Sequence, residues 1–367
     1  MQRSLLTDRF RSDGARLAET PDGPVLLTYG DVPAEYEAAR EKAVVFDATP
    51  RGALCVTGAE RAEFLHRILA NEVRHLAPGR GNANLLLTSK GKVAQAFELL
   101  VDEEEIRLEA PAARIPALAA EVDRYLFAED VQLEDVSESV APVEICGPEA
   151  AALVSSVLGL ELPTWEAGTW LRTDWEGAPL RVAAWPVAGS PGYRLDAGPA
   201  AADALWQRFL AAGARPAGVA VSDILRIEAG QAVFGADVDD NIYPQEARLE
   251  SAFSLEKGCY IGQEVVAKID TYGGLNKRLV CLRFDHDDPV PRGTELSVVE
   301  DGEARNLGLV TSWSYSFVLD TGIALAYVKR KHQAVGKEFE LVGAPGKATV
   351  VEMPVRPGAL PITGEFE

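Results

Sequence analysis

Two stretches of this chain, "CVTGAERAEFLHRIL" at 55–69 and "VEICGPEAAALVSSVLGL" at 143–160, repeat one pattern. Each is a short apolar strand, a glycine, then a helix with an acidic first turn. Acidic residues suit the positive end of a helix dipole. A unit used twice constrains the fold more than any single motif does. It predicts an α+β chain with two related halves, in which helices alternate with strands.

The rest of the chain fits around this repeat. "PAEYEAAREKAVVFDA" reads as a helix running into a buried strand. Three strands follow in "NANLLLTSKGKVAQAFELLVDEEEIRLEAP", joined by turns at "SKGK" and "DEEE". "AARIPALAAEVDRYLF" is an amphipathic helix and "VQLEDVS" a strand. The second half continues with two strands in "PLRVAAWPVAGSPGYRLDAG" and a helix ending at Gly213. From Arg278 the pattern changes to five short strands between glycine turns, which suits a small antiparallel barrel or sandwich. The expected divisions are 1–140, 141–277 and 278–367.

With 36 Lys+Arg against 56 Asp+Glu, the net charge of −20 repels a nucleic-acid backbone and anionic lipid. Only "KRKH", Lys329 to His332, breaks that trend; it reads as a solvated strand end. Cys55, Cys146, Cys259 and Cys281 show no metal-ligand spacing, so no metal is expected on this chain. The N-terminus lacks the apolar core of a signal peptide and no 18-residue apolar run occurs, so a cytoplasmic protein with reduced thiols is expected.

Three stretches carry candidate chemistry. In "LEKGCYIGQEVVAK", Cys259 lies two residues after Lys257 and ahead of a helix start. A nearby cation and a helix N-terminus both favour a thiolate. The alternative is a half-buried thiol packed under a turn. Gly258 and Gly262 point to positive φ or to close backbone approach. In "LRIEAG", Glu228 could accept a bidentate hydrogen bond from a guanidine-like edge, or pair with Arg226 at the surface. The neighbouring "DVDDNIYPQEARLE" reads as a solvated acidic loop. Lys90 and Lys92 flank Gly91 in the hairpin turn, to meet an anionic group or to protect the turn.

The octad "KGCYIGQE" resembles the signature of the YgfZ-type folate-binding proteins, which support iron–sulfur cluster assembly and repair. "YEAAREKAVVFDAT", "VTGAERAEFLHRILANEV", "LRIEAG" and "GLVTS…GIALAYV" resemble the wider superfamily of the glycine-cleavage T-protein, a tetrahydrofolate-dependent aminomethyltransferase. The resemblance implies three domains around a central folate cavity, with a small C-terminal antiparallel barrel. It implies tetrahydrofolate, or a one-carbon derivative, as ligand. Glu228 would hold the pterin, with Tyr260, Gly262, Gln263 and Asn82 completing the pocket, and Lys257 and Cys259 would be functional. Iron–sulfur client or assembly proteins would be the partners. T-proteins carry an aspartate pair after the hairpin, one of which is needed for transfer. Gln95 and Ala96 stand there in this chain. General acid–base work at a folate nitrogen then lacks its carboxylate. An accessory role is therefore expected first and aminomethyl transfer second.

Overall fold

The computed structural model describes residues 4–300 and 303–360. Its contacts group the chain into two units. One holds the residues up to Asn84 together with Ala96–Ser222; the other holds Leu85–Gln95 and the residues from Asp223 on.

The first unit opens with α1 (Thr7–Ser12), a hairpin of β1 (Arg16–Thr20) and β2 (Gly23–Thr28), α2 (Val32–Glu41) and β3 (Val44–Asp47). The repeated module follows. Its first copy is β4 (Arg51–Thr57), α3 (Arg61–Ile68), β5 (Arg80–Leu87), β6 (Val93–Val101), β7 (Ile106–Pro111), α4 (Ile115–Asp123) and β8 (Gln132–Asp135). Its second copy is β9 (Val143–Cys146), α5 (Ala150–Leu158), β10 (Trp170–Trp175), β11 (Ala178–Val187), β12 (Ser190–Asp196), α6 (Ala202–Ala211) and β13 (Arg215–Ala217). The first sheet runs β5-β6-β7-β4-β8 and the second β10-β11-β12-β9-β3-β13. Both begin with the same four-strand order, so the sequence repeat is a repeat of topology.

The glycine that ends each leading strand has a physical reason. Gly58 has φ +101° and Gly147 has φ +120°. A Cβ would stand 2.1 Å from the Asp130 carbonyl oxygen at Gly58 and 2.4 Å from that of Lys42 at Gly147. Only glycine admits both the dihedral and the backbone contact. The helix after Gly58 ends at Ile68, where the chain turns extended at Leu69. The N-terminal hairpin and β10 add strands that the sequence pattern does not announce.

The first unit's main core gathers Phe10, Val45, Ile145, Val154, Leu205, Trp206 and Phe209. A second, polar centre is built on the buried Arg194. The Arg194 guanidinium pairs with Glu98, Glu109 and Glu144, and Arg51 also reaches Glu98. Burial opposes ionisation of Glu98, but the charges of Arg194 and Arg51 outweigh it and hold the carboxyl below its ordinary value. Glu98, the first carboxylate after the hairpin, is thus consumed in an ion cluster.

In the second unit, α7 (Val219–Glu228) leads to α8 (Gln263–Tyr272) and then to a barrel. The barrel strands are β14 (Lys277–Phe284), β15 (Glu295–Glu300), β16 (Glu303–Ser316), β17 (Thr321–Lys329), β18 (Glu338–Leu341) and β19 (Lys347–Val351). They close in the order β14-β17-β16-β15-β18-β19 around Leu282, Phe284, Val310, Ala326 and Phe339. Closure removes every sheet edge. It resolves barrel against sandwich, and it needs six strands where five were expected. The missed one, β18, has four residues, two of them exposed glutamates, too few for a pattern.

Candidate functional site

The octad and the hairpin turn, far apart in sequence, are packed together within the second unit. The turn is closed by Thr88, whose N–H donates to the Lys92 carbonyl at 2.8 Å and whose carbonyl accepts from Gly91 N–H at 2.9 Å. Gly262 caps α8 in the left-handed region, φ +79°. A Cβ there would lie 2.5 Å from the Thr88 carbonyl oxygen and 3.0 Å from Gly91 Cα. A Cβ at Gly91, φ +72°, would meet Val265 Cβ at 2.9 Å. The two glycines are therefore each other's reason: both backbones approach where side chains would stand.

Lys92 is held rather than offered to a ligand. Its ammonium donates to the Asn241 carbonyl at 2.7 Å and lies 3.5 Å from the centroid of the Tyr243 ring. Burial lowers its pKa. Lys90 is exposed at the tip.

Within the octad, burial separates the candidates. The Ser254 hydroxyl accepts from the N–H of Glu256 and Lys257, at 3.1 and 3.2 Å, and turns the chain. Lys257 is buried, with its ammonium 5.3 Å from the Tyr260 ring centroid. This is a cation–π contact in a half-dry site. Tyr260 is buried and its hydroxyl has no hydrogen-bond partner among the described residues. Burial pushes its pKa up to about 12, so it stays a neutral donor. Gln263 opens α8, half-buried. Cys259 faces solvent, whereas Cys55, Cys146 and Cys281 are buried. The packed-thiol alternative is therefore excluded for Cys259. The Lys257 ammonium lies over the face of the Tyr260 ring.

An exposed thiol can be counted. A thiol-specific reagent should modify one cysteine quickly in the native protein and four after unfolding. Cys259→Ser should remove the fast phase; a fast phase surviving in that variant would contradict the assignment.

Glu228 is engaged by other elements of the same unit. Its carboxylate is fully buried at the C-terminal end of α7, where the helix dipole disfavours negative charge. The barrel supplies compensation. The Ser316 hydroxyl donates to Oε1 at 2.6 Å and Val318 N–H approaches the same atom at 3.4 Å. The Arg356 guanidinium lies 4.0 Å from Oε2. The N–H groups of Val355 and Arg356 donate to the Glu228 carbonyl, at 2.7 and 3.2 Å. Cys281 registers this charge: burial and the negative Glu228 both push its thiol up. Ser316 and Arg356 escaped the sequence reading, because only closure of the barrel makes them neighbours of Glu228.

Two expectations from the sequence fail at this site. Arg226 does not pair with Glu228. It binds Asp223 at 2.6 Å and Asp237 at 2.9 Å. Nor is the acidic loop wholly solvated. Asp237 accepts from Thr311 and Ser312 at 2.6 Å each and from Val233 N–H at 3.0 Å, while Asp239 and Asp240 are exposed. A loop carboxylate facing a guanidinium and two barrel hydroxyls is anchored inward.

Asn82 belongs to the first unit. It donates to the Glu72 carbonyl at 2.7 Å and accepts from Asn84 at 3.1 Å. Gln95 is buried on β6. Among the described residues, no three His, Cys, Asp or Glu side chains cluster to hold a metal ion, and no helix is long and apolar enough to cross a membrane.

Comparison with known proteins gives this arrangement a family. Residues 6–257 match the GCVT N-terminal domain, and 277–355 match the glycine cleavage T-protein C-terminal barrel domain. The chain belongs to the glycine cleavage T-protein family. It is 30% identical over 356 residues to an aminomethyltransferase of Rubrobacter xylanophilus, covering 96% of this chain and 94% of that one. An aminomethyltransferase of Geobacillus kaustophilus is also 30% identical, over 365 residues, covering 96% and 98%. The crystal structure of glycine cleavage system aminomethyltransferase T from Bartonella henselae shares the fold, with a TM-score of 0.86 at 23% identity over 98% of this chain and 99% of that one. The barrel and the mixed α/β units are thus those of the T-protein family.

Proposed function

We propose that this protein binds tetrahydrofolate, and that its first activity to test is the aminomethyl transfer named for its relatives. The observation that carries the folate reading is Glu228, a carboxyl group fully buried beside Ser316 and Arg356. An amino-pyrimidine edge presents paired N–H donors, which a carboxylate matches and an amide or hydroxyl does not. The donors from Ser316 and Val318 fall on one oxygen. Bound folate would supply the nitrogens that carry a one-carbon unit. The protein's own part is to orient the pterin and exclude water.

A second reading, support of iron–sulfur enzymes, rests on Cys259. The thiol is exposed in a turn held by Gly262 and Gly91, and Gln95 and Ala96 offer no carboxylate for proton transfer.

Calorimetry with tetrahydrofolate should show binding in the wild type. Glu228→Gln keeps shape and loses charge, and it should bind at least about tenfold more weakly, a loss of roughly 1.5–3 kcal/mol. Equal affinity in the variant would remove Glu228 from the site. Formation of methylene-tetrahydrofolate from an aminomethyl donor, unchanged in Cys259→Ser, would favour transfer. Folate binding without turnover, joined to loss of iron–sulfur enzyme activity in a Cys259→Ser strain, would favour the accessory role.

A further inference from the structure

The basic run "KRKH" has no part in the site described above. Lys329 ends β17 and Arg330–His332 form one tight turn. Against it lies the loop after α8: Arg330 N–H donates to the Asn276 carbonyl at 3.0 Å. Between loop and turn is a cavity of about 330 Å³, lined by Gly274 and Asn276 on one side and by Lys329, Arg330, Lys331 and His332 on the other. No carboxylate lines it.

Its cations differ in their commitments. The Lys329 ammonium already donates to the Asn306 carbonyl at 2.8 Å. Among the described residues, Arg330, Lys331 and His332 have no ion-pair partner. The loop is also shaped for the guanidinium. Gly273 has φ +61°, and a Cβ there would lie 3.6 Å from both terminal nitrogens of Arg330. At Gly274 a Cβ would meet nothing within 4 Å. The Arg330 guanidinium thus lies beside the Gly273 backbone, and Arg330 lines the cavity.

We propose that this cavity binds a small oxyanion carrying two or more negative charges. A guanidinium fork recognises two oxygens at once, and an adjacent ammonium and imidazole can neutralise further charge. The volume suits a small molecule rather than a protein surface. The chain's overall field repels anions, so attraction must come from charges within about 8 Å, the screening length at physiological salt. Binding should therefore be local, saturable and weakened by salt. Phosphate esters and polycarboxylates share this chemistry. The proposal is independent of the folate reading.

The test is calorimetry on the full chain with pyrophosphate and with citrate, each against chloride at matched ionic strength. The comparison protein is the double variant Arg330→Gln, Lys331→Gln. Both side chains are exposed, so its unfolding midpoint should equal the wild type's. Saturable one-site binding, at least tenfold weaker in the double variant, supports the site. Preference for pyrophosphate then assigns a phosphate-bearing ligand, and preference for citrate a polycarboxylate. If neither anion binds beyond chloride, or if the variant binds equally well, the proposal is overturned.

Discussion

Gly262→Val should destabilise the second unit by about 3 kcal/mol or more, the largest single effect expected in the octad. Two costs add. A non-glycine residue at φ +79° in the left-handed region costs about 1–2 kcal/mol. The clash comes on top: a Cβ would stand 2.5 Å from the Thr88 carbonyl oxygen, a backbone atom that cannot rotate away. Relief would require the hairpin turn to move off α8, opening the contact between the two motifs. Gly258→Ala separates the terms. Its φ is +101°, yet nothing lies within 4 Å of its Cβ position, so it bears dihedral strain alone. Denaturant unfolding of both variants checks the argument. Equal losses would mean that the approach of Gly262 to the hairpin is energetically empty. Thiol reactivity adds an independent readout, because Cys259 sits between these glycines and should change its rate in Gly262→Val.

The second large effect is expected in the first unit, from Arg194→Met. The guanidinium is buried and answers Glu98, Glu109 and Glu144 together. Removing one partner of a buried ion cluster typically costs about 3–5 kcal/mol, because carboxylates remain charged without compensation. The pH dependence gives the sign. In the wild type, Glu98 is held below its ordinary value. Its contribution is complete above the unfolded-state value of about 4.3 and is lost as pH falls through the folded value. The variant lacks the main source of that lowering. The stability gap between wild type and Arg194→Met should therefore be widest near pH 7 and narrow toward pH 3. A gap independent of pH would show that the loss is one of packing rather than charge. The cluster also bears on function. The carboxylate nearest the hairpin in sequence serves structure, so any proton transfer at a bound folate must find another group.

Much of this protein was legible in its sequence, and for local reasons. The paired strand-glycine-helix segments declared a duplicated module, because each glycine is demanded by its own backbone conformation and by one close carbonyl. The alternating strands after Arg278 declared an all-β C-terminal region. The octad and Glu228 stood out by residue type, but residues alone left a packed thiol and an ion pair with Arg226 open, and the family resemblance is what pointed to folate chemistry there. What the sequence could not declare depends on separations of tens to hundreds of residues. Barrel closure recruits β18, whose four residues carry too weak a pattern to find. It also brings Ser316 and Arg356 onto Glu228, 88 and 128 positions away, and so decides that this carboxylate is buried and Arg226 is not its partner. The folded chain buries Lys257 and leaves Cys259, two residues on, at the surface. Residue type sets which chemistry a side chain can do; burial and the charges folded around it set whether it is free to do it.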